Sequence, residues 1–282
     1  MIRLAVRCAP ELAESVLAEL LELAPEGVEE ERGSGYVEYS IYGAPGELPA
    51  TGELRAIVRG GEHGSSPGLV DVTSARVPDD WGERWQEFHK PHLVGERLWL
   101  RPSWEEPRDG AIDVIIDPGQ AFGTGAHPTT RMCLELLLGL AARGEARGPL
   151  ADWGTGSGVL AIAAAKLGFG PIVACDHEEA ALEAAGANAR ANGVSLELRR
   201  LNLRTEPPPN APAAVANLTG PVLLELARRL EDPPDRLICS GLLASEAEEL
   251  RRAFGDHGLE LGAQRAEGDW MAISFGSAAS SR

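Results

Sequence analysis

The chain is short of positive charge. It carries 26 Lys and Arg against 43 Asp and Glu, a formal net charge of −17 over 282 residues. Nonspecific binding to bare nucleic acid needs a basic face that neutralises phosphates. This balance disfavours it, and no direct nucleic-acid contact is expected. Long apolar runs are also missing: no stretch of about 18 apolar residues could span a bilayer, and no charged-then-apolar leader is seen. Neither membrane insertion nor secretion is expected, and the cytoplasm is the expected location. Cysteine is scarce. Cys8, Cys133, Cys175 and Cys239 are widely spaced in apolar contexts with no CxxC pair. They read as buried, reduced thiols. The six histidines form no HExxH pattern, and His89 and His92 lack a third ligand nearby, so no metal site is expected. No internal repeat is present, and nothing compels more than a monomer. The acidic balance favours encounter with a basic partner and also serves plain solubility. Acid runs such as Glu29 to Glu31 and Glu246 to Glu249 read as solvated surface.

What is present is enough chain for one full α/β domain and a smaller one. Ile2 to Cys8 reads as a strand. Leu12, Val16, Leu20 and Leu23 form a helical stripe within Pro10 to Leu23. Val28 to Glu31 and Tyr36 to Tyr42 read as strands around Gly33-Ser-Gly35, and Leu54 to Arg59 and Leu69 to Val77 as two more. Residues 1–77 are therefore a small α+β module, poor in helix after the first. Asp80 is placed to cap a helix over Trp81 to His89. Leu98 to Leu100 and Ala111 to Ile116 read as strands with Trp104 between them. A turn-rich loop from Asp117 leads into a helix over Arg131 to Ala142.

From residue 150 the pattern is regular. Strands are predicted at 150–153, 171–175, 196–201, 213–217 and 236–240, and helices at 157–168, 178–192, 221–231 and 244–256. Strands at 259–265 and 270–275 close the chain. Alternating β and α predicts a parallel sheet with helices on both faces and a ligand at the carboxyl ends of its strands.

The most informative stretch is Leu150-Ala-Asp152-Trp-Gly154-Thr-Gly156-Ser-Gly158-Val-Leu160. A strand ends in an acid, and three alternating glycines turn the chain into an alanine-rich helix. Such glycines allow a sharp turn and close approach of a ligand to the backbone, and the helix start offers its amides. The run Gly156-Ser-Gly158-Val-Leu-Ala161 also fits a dinucleotide fingerprint. Asp152 argues the other way: a carboxylate there repels phosphate and suits a cationic ligand. S-Adenosylmethionine carries an amino group and a sulfonium and has no phosphate.

Polar residues recur at the following strand ends. Asp176 ends the second strand of the regular unit, about 20 residues past the loop, where an acid can accept both ribose hydroxyls. Asn202 follows the third and could touch an adenine. Asn217 ends the fourth and could meet the methionine part of a methyl donor or an incoming amine. Each alone is a common turn former. In the loop before residue 131, Phe122 offers an aromatic face and Gly123 and Gly125 close approach, as a lid would need. The alternative is a glycine-rich turn with Thr129 or Thr130 capping the next helix.

The run D-P-G-Q-A-F-G-T-G-A-H-P-T-T from Asp117, followed by A-D-W-G-T-G-S-G-V-L-A-I-A-A-A-K-L-G from Ala151, closely resembles the methyltransferases of the eleventh large-subunit ribosomal protein, the PrmA family. The likeness extends to Asp80-Trp81, Trp85, Lys90-Pro91, Pro102-Ser-Trp104, V-A-N-L at 215–218 and S-G-L-L at 240–243. It covers residues 79–275 strongly and the first 77 only in general character. It implies a small α+β substrate-recognition domain (1–77), a linker helix (78–95) and a Rossmann-like class I methyltransferase domain (96–282). It further implies S-adenosylmethionine as cofactor, and trimethylation of lysine side chains and the N-terminal amine of that ribosomal protein. By motif position Thr129 or Thr130, Gly154, Asp176 and Asn217 would contact the methyl donor, and Phe122, Gly123, Thr124, Gly125 and His127 would form the loop over it. Three positions depart from the family pattern: His177-Glu178 after Asp176, Leu218-Thr219-Gly220 after Asn217, and Trp153 where smaller aliphatics are usual.

The chemistry implied is in-line displacement at a sulfonium carbon by a neutral amine, although a free lysine is almost fully protonated at neutral pH. Placement supplies much of the acceleration, and desolvation lowers the amine pKa. No strong general base stands out. Positioning by backbone carbonyls and Asn217 is expected to matter more than acid–base catalysis, with His127 the candidate proton acceptor. The competing readings are a related methyltransferase acting on another protein or small amine, an NAD-dependent oxidoreductase, and a non-catalytic ribosome-associated protein that binds S-adenosylmethionine.

Overall fold

The computed structural model describes residues 2–13, 16–17, 20, 28–43, 48–60, 69–76, 90–117, 125 and 127–277. The chain divides into two compact units, Met1–Phe88 and His89–Arg282.

The first unit is a four-stranded antiparallel sheet of β1 (Ile2–Cys8), β2 (Glu29–Gly33), β3 (Tyr36–Gly43) and β4 (Leu69–Arg76), in the order β2-β3-β1-β4. A tight turn at Ser34-Gly35, with Gly35 at φ +83°, joins β2 to β3. Alternation along the strands sends Leu4, Val6, Cys8, Val37, Tyr39, Ile41 and Val72 to one face, where they pack with the helical Val16 and Leu20 and with Leu54. Leu23, the last residue of the expected stripe, lies outside the described residues. The expected strand Leu54 to Arg59 is instead a helix, α1 (Thr51–Gly60). Its start is fixed locally: the Ala50 carbonyl accepts the Leu54 N–H at 2.9 Å, and the Ala50 N–H donates to the Glu53 carboxylate at 2.9 Å. Reach-back by an acid three residues on is a helix-start device, and it overrides the strand preference of Ile57 and Val58.

The second unit opens with a three-stranded sheet of β5 (His92–Val94), β6 (Leu98–Arg101) and β7 (Ile112–Ile115). Residues 78–89 of the expected linker helix lie outside the described residues, and 92–94 are strand rather than helix because they pair antiparallel with β6. The buried Arg101 guanidinium joins β6 to β7, donating to both carboxylate oxygens of Asp113 at 2.7 and 2.8 Å. Helix α2 (Pro128–Ala142) begins three residues earlier than expected, with proline in its first turn, where a missing N–H costs nothing.

The main sheet follows: β8 (Leu150–Trp153), α3 (Val159–Leu167), β9 (Ile172–Asp176), α4 (Glu179–Ala191), β10 (Glu197–Arg200), β11 (Ala213–Asn217), α5 (Gly220–Arg228), β12 (Arg236–Leu243), α6 (Ala247–Gly255), β13 (Leu259–Glu267) and β14 (Trp270–Ser277). Its order is β10-β9-β8-β11-β12-β14-β13. The sheet is not wholly parallel: β14 runs antiparallel to both β12 and β13. Only Gly268-Asp269 separate β13 from β14, and a connection that short permits nothing but a hairpin. Among the described residues no helix is long and apolar enough to cross a membrane.

The sheet separates two buried clusters. Leu150, Ala174, Val215 and Ile238 face α2 and α3; Ala151, Trp153, Cys175, Ala216 and Cys239 face α5 and α6. Trp153 is 1% exposed and donates its ring N–H to the Pro209 carbonyl at 3.1 Å. It pins the proline-rich loop to the face opposite the one that carries Asp152. Trp153→Phe is expected to destabilise the fold by about 2 kcal/mol through the lost hydrogen bond and the space left behind, read as a shift in the urea midpoint.

Candidate active site

Strand parity gathers the polar residues. Asp152 lies two residues after Leu150, Asp176 two after Ala174, Asn217 two after Val215 and Ser240 two after Ile238. All four therefore project from the α2/α3 face at the carboxyl ends of neighbouring strands. The register confirms the shared face but staggers the residues: Asp152 pairs with Ala174 and Val215, two residues short of Asp176 and Asn217, and Asn217 pairs with Ser240.

The glycine loop is held from two sides. The Gly154 and Thr155 N–H groups both donate to the Cys175 carbonyl at 2.9 Å. Gly154 lies at φ +80°, a left-handed conformation that suits glycine, and a Cβ there would come 2.4 Å from Leu218 Cδ2, so that side chain would have to shift. Gly158 is the left-handed residue preceding α3, and Gly156 also has positive φ. The Gly156 N–H donates to Asp176 Oδ2 at 3.0 Å, and the Glu178 N–H to Asp176 Oδ1 at 3.2 Å. Asp176 is 9% exposed. His177 lies beside it, Nδ1 at 3.3 Å.

Asp152 stands differently from the expectation. Its side chain does not reach open space: it is 0% exposed and accepts from Thr155 Oγ1 at 2.7 Å and from the Ala161 N–H at 3.1 Å, both on Oδ2. Oδ1 has no hydrogen-bond partner among the described residues. Burial pushes this carboxyl up to about 7, against the two hydrogen bonds. The acid therefore shapes the loop from beneath. Asn202 also behaves as a turn former. It is exposed, its Oδ1 accepts the Arg204 N–H at 3.0 Å, and its N–H donates to Glu206.

The loop before α2 re-enters at Gly125 and His127; Phe122, Gly123 and Thr124 lie outside the described residues. Gly125 has φ +92° and abuts Leu100. His127, rather than Thr129 or Thr130, is the N-cap of α2: its Nδ1 accepts the Thr129 N–H at 3.4 Å and lies 2.7 Å from Thr129 Oγ1. Burial lowers its pKa, reinforced by Arg131 and opposed by Glu267, so the ring is neutral at pH 7. It meets Trp270 edge-on at 5.2 Å between centroids. Thr129 and Thr130 are buried in the first helical turn, and Asn217 Nδ2 donates to Thr130 Oγ1 at 3.2 Å. The site thus unites the glycine loop, Asp176, Asn217 and Thr130. It also includes Asn188, 3% exposed and bonded to the Ser157 carbonyl, which the sequence reading missed; a mid-helix Asn gives no signal of the face it takes.

A dinucleotide-binding sheet of this kind is parallel throughout, ordered 3-2-1-4-5-6. Here a reversed strand is inserted before the last one, and an acid-supported glycine loop follows the first strand of the sheet. Sheet and loop together define a Rossmann-like class I methyltransferase fold. A family model described as ribosomal protein L11 methyltransferase (PrmA) matches residues 50–277, and the chain belongs to this family. A ribosomal protein L11 methyltransferase of Symbiobacterium thermophilum is 37% identical over 243 residues, 81% of this chain and 78% of the relative. The one from Desulforamulus reducens is 36% identical over 200 residues, 68% of this chain and 64% of the relative. The crystal structure of a ribosomal protein L11 methylase from Lactobacillus delbrueckii subsp. bulgaricus superposes with a TM-score of 0.58 at 28% identity, covering 66% of this chain and 98% of that one.

The Asp152 environment has a pH consequence. Its folded pKa, about 7, lies above its ordinary value of 3.8. The folded state keeps the proton longer, so the group's contribution to stability is largest below its ordinary pKa and is lost as pH rises through about 7. Asp152→Asn keeps an acceptor for Thr155 and Ala161 and removes the titration. The unfolding free energy of the variant should therefore fall by about 2 kcal/mol less than that of the wild type between pH 5.5 and 8, measured by urea denaturation at both pH values.

Proposed function

We propose that this protein transfers methyl groups from S-adenosylmethionine to amino groups of ribosomal protein L11, both lysine side chains and the N-terminal amine, as a cytoplasmic monomer that needs no nucleic-acid contact. The observation that carries the reading is the convergence of the glycine loop, Asp176 and the Asn217–Thr130 pair at one end and one face of the sheet, in a chain of this family.

The residues suit the methyl donor. Asp176 has accepted two backbone N–H groups, and a carboxylate has about four acceptor positions, so it retains capacity for two ribose hydroxyls. The glycines at 154, 156 and 158 bring bare backbone to the ligand. With Nδ2 committed to Thr130, Asn217 presents Oδ1 as an acceptor for an ammonium or an incoming amine. Phe122, Gly123, Thr124, Gly125 and His127 belong to the segment that would close over the ligand, with Thr129 and Thr130 at its base. S-Adenosylmethionine supplies an electrophilic methyl group on a sulfonium. The chain's own part is to hold the amine nitrogen in line, exclude water and favour the neutral amine. His127 is neutral at pH 7 and able to take a proton, but its Nδ1 already caps α2, so positioning by Asn217 carries more of the rate than base catalysis. The first unit chooses the substrate. The net charge of −17 favours encounter with a lysine-rich one.

The deciding experiment is intact-mass analysis of unmethylated ribosomal protein L11 after incubation with the protein and S-adenosylmethionine. Gains in methyl steps are expected, and Asp176→Ala should weaken cofactor binding by roughly 10- to 100-fold through a lost charge-assisted hydrogen-bond acceptor. Binding without any mass gain, with the cofactor seen by calorimetry, would move the substrate elsewhere or make the protein non-catalytic. Absence of cofactor binding would end the methyltransferase reading. His127→Ala should cost about 1 kcal/mol of stability as a lost cap while the pH–rate profile keeps its shape; loss of an ionisation from that profile would make His127 the base.

A further inference from the structure

The run S-G-L-L at 240–243 holds an irregularity of β12. Ser240 pairs with Ala272 and Leu242 with Met271, which leaves Gly241 as an extra residue opposite β14. Gly241 lies at φ +87°, a conformation that suits glycine. On the other side of β12, the pairing with β11 ends at Asn217 and Ser240. The next residue, Leu218, donates its N–H to the Ser240 carbonyl at 2.9 Å, and the bulge brings Gly241 against its backbone. A Cβ on Gly241 would stand 2.4 Å from the Leu218 carbonyl oxygen, 2.8 Å from its carbonyl carbon and 3.0 Å from its nitrogen.

These are backbone atoms, so no side-chain rotation relieves the contact. Leu218 is held on its other sides as well. Its side chain lies against Gly154 of the glycine loop, and the preceding residue, Asn217, is tied through Nδ2 to Thr130 Oγ1 at 3.2 Å. A push at Gly241 is therefore passed to the Asn217 carboxamide or to the glycine loop. Bulges bend a strand and re-aim the side chains beside it. Here the side chain concerned is on the neighbouring strand. Gly258 makes the contrast: it also has positive φ, +76°, yet a Cβ there would meet nothing within 4 Å.

We infer that Gly241 is a positioning residue for the transfer reaction: the bare Cα at the β12 bulge sets where Leu218, and with it the Asn217 carboxamide, stands in the site. This rests on the reading above in which Asn217 meets the incoming amine. Gly241 touches no reacting atom; it acts through the Leu218 backbone.

Gly241→Ala tests it beside Gly258→Ala. Both substitutions strain a left-handed residue, and only the first presses on Leu218. Gly241→Asn, whose side chain tolerates that backbone better, carries the comparison if the alanine variant does not fold. The readouts are kcat with ribosomal protein L11, the dissociation constant for S-adenosylhomocysteine by calorimetry, and the Asn217 side-chain amide resonances, assigned by their loss in Asn217→Ala. Gly241→Ala should lower kcat about tenfold to a hundredfold, as a misplaced positioning group does, while the dissociation constant stays within about threefold. The Asn217 resonances should shift in Gly241→Ala and stay in place in Gly258→Ala. In the Asn217→Ala background, Gly241→Ala should lower kcat by less than about threefold further, because the group it displaces is gone. Unshifted Asn217 resonances, or a kcat loss that multiplies in full with that of Asn217→Ala, overturns the inference and leaves Gly241 a bulge residue only. Failure of both Gly241 variants to fold, with Gly258→Ala folded, overturns it too. If the wild type transfers no methyl group to ribosomal protein L11, the functional reading fails and this inference goes with it. Wild-type transfer beside an unaffected Gly241→Ala sinks this inference alone.

Discussion

A carboxylate cut off from water sets the shape of the glycine loop. Parity places Asp152 on the same face as Leu150, beneath the turn rather than above it, and there burial is complete. A group so placed must find partners within the fold or carry a large desolvation penalty. It finds Thr155 Oγ1 and the Ala161 N–H, the first on the turn and the second on α3. One side chain therefore fixes both where the chain reverses and where the helix begins. The Cys175 carbonyl takes two N–H groups of the same turn from the neighbouring strand. With its underside held in this way, the loop can present the opposite side of its backbone to a ligand without rearrangement, which is what preorganisation requires.

The same parity rule spreads outward from β8. The residues two steps past each buried aliphatic all lie on one face, with Asn217 level with Ser240 and Asp152 set two residues deeper, level with Ala174 and Val215. The opposite face receives Trp153, Cys175 and Cys239. Trp153 is thus a large residue at a motif position that nonetheless leaves the ligand side unchanged; its bulk is spent on the loop at Pro209. Leu218 has the opposite significance. It fills the place of a Gly154 side chain, so the segment after Asn217 and the glycine loop share one contact, and a departure from the family pattern there bears on both.

The alternation of strands and helices from residue 150 onward was legible because the elements there differ in period, and several, such as β8, α3, α4 and β13, are followed closely by a glycine. So were the glycine loop, Asp176 and Asn217, since residue type and position at a strand end are both visible in one dimension. Three features were not. Leu54 to Arg59 reads as a strand by residue preference, and the deciding contact, from the Ala50 N–H to Glu53, lies outside that window. The three residues of β5 are a strand only because β6 lies beside them. The place of Asn188 depends on where α4 packs against the glycine loop, a tertiary fact with no periodic trace. The reversal of β14 stands between these cases: the short Gly268-Asp269 connection was in the sequence, but the insertion of that strand beside β12 was not.

Electrostatics gives the site its sign. Two acids support the same turn: Asp176, which accepts the Gly156 N–H, and the buried Asp152, pushed up to about 7 and so only partly ionised at neutral pH. A pyrophosphate close to the Asp176 carboxylate would meet a like charge. A sulfonium and an ammonium meet it favourably. His127 fits this pattern: a protonated ring would place a second cation beside Arg131, and burial together with that arginine lowers its pKa. On the proposed reading the methyl donor arrives positive and the methylated amine leaves positive, so a His127 ring kept neutral adds no repulsion to either. An acid at the end of the second strand also serves dinucleotide sites, so it is the sheet order with its reversed strand, and not charge alone, that sets this site apart.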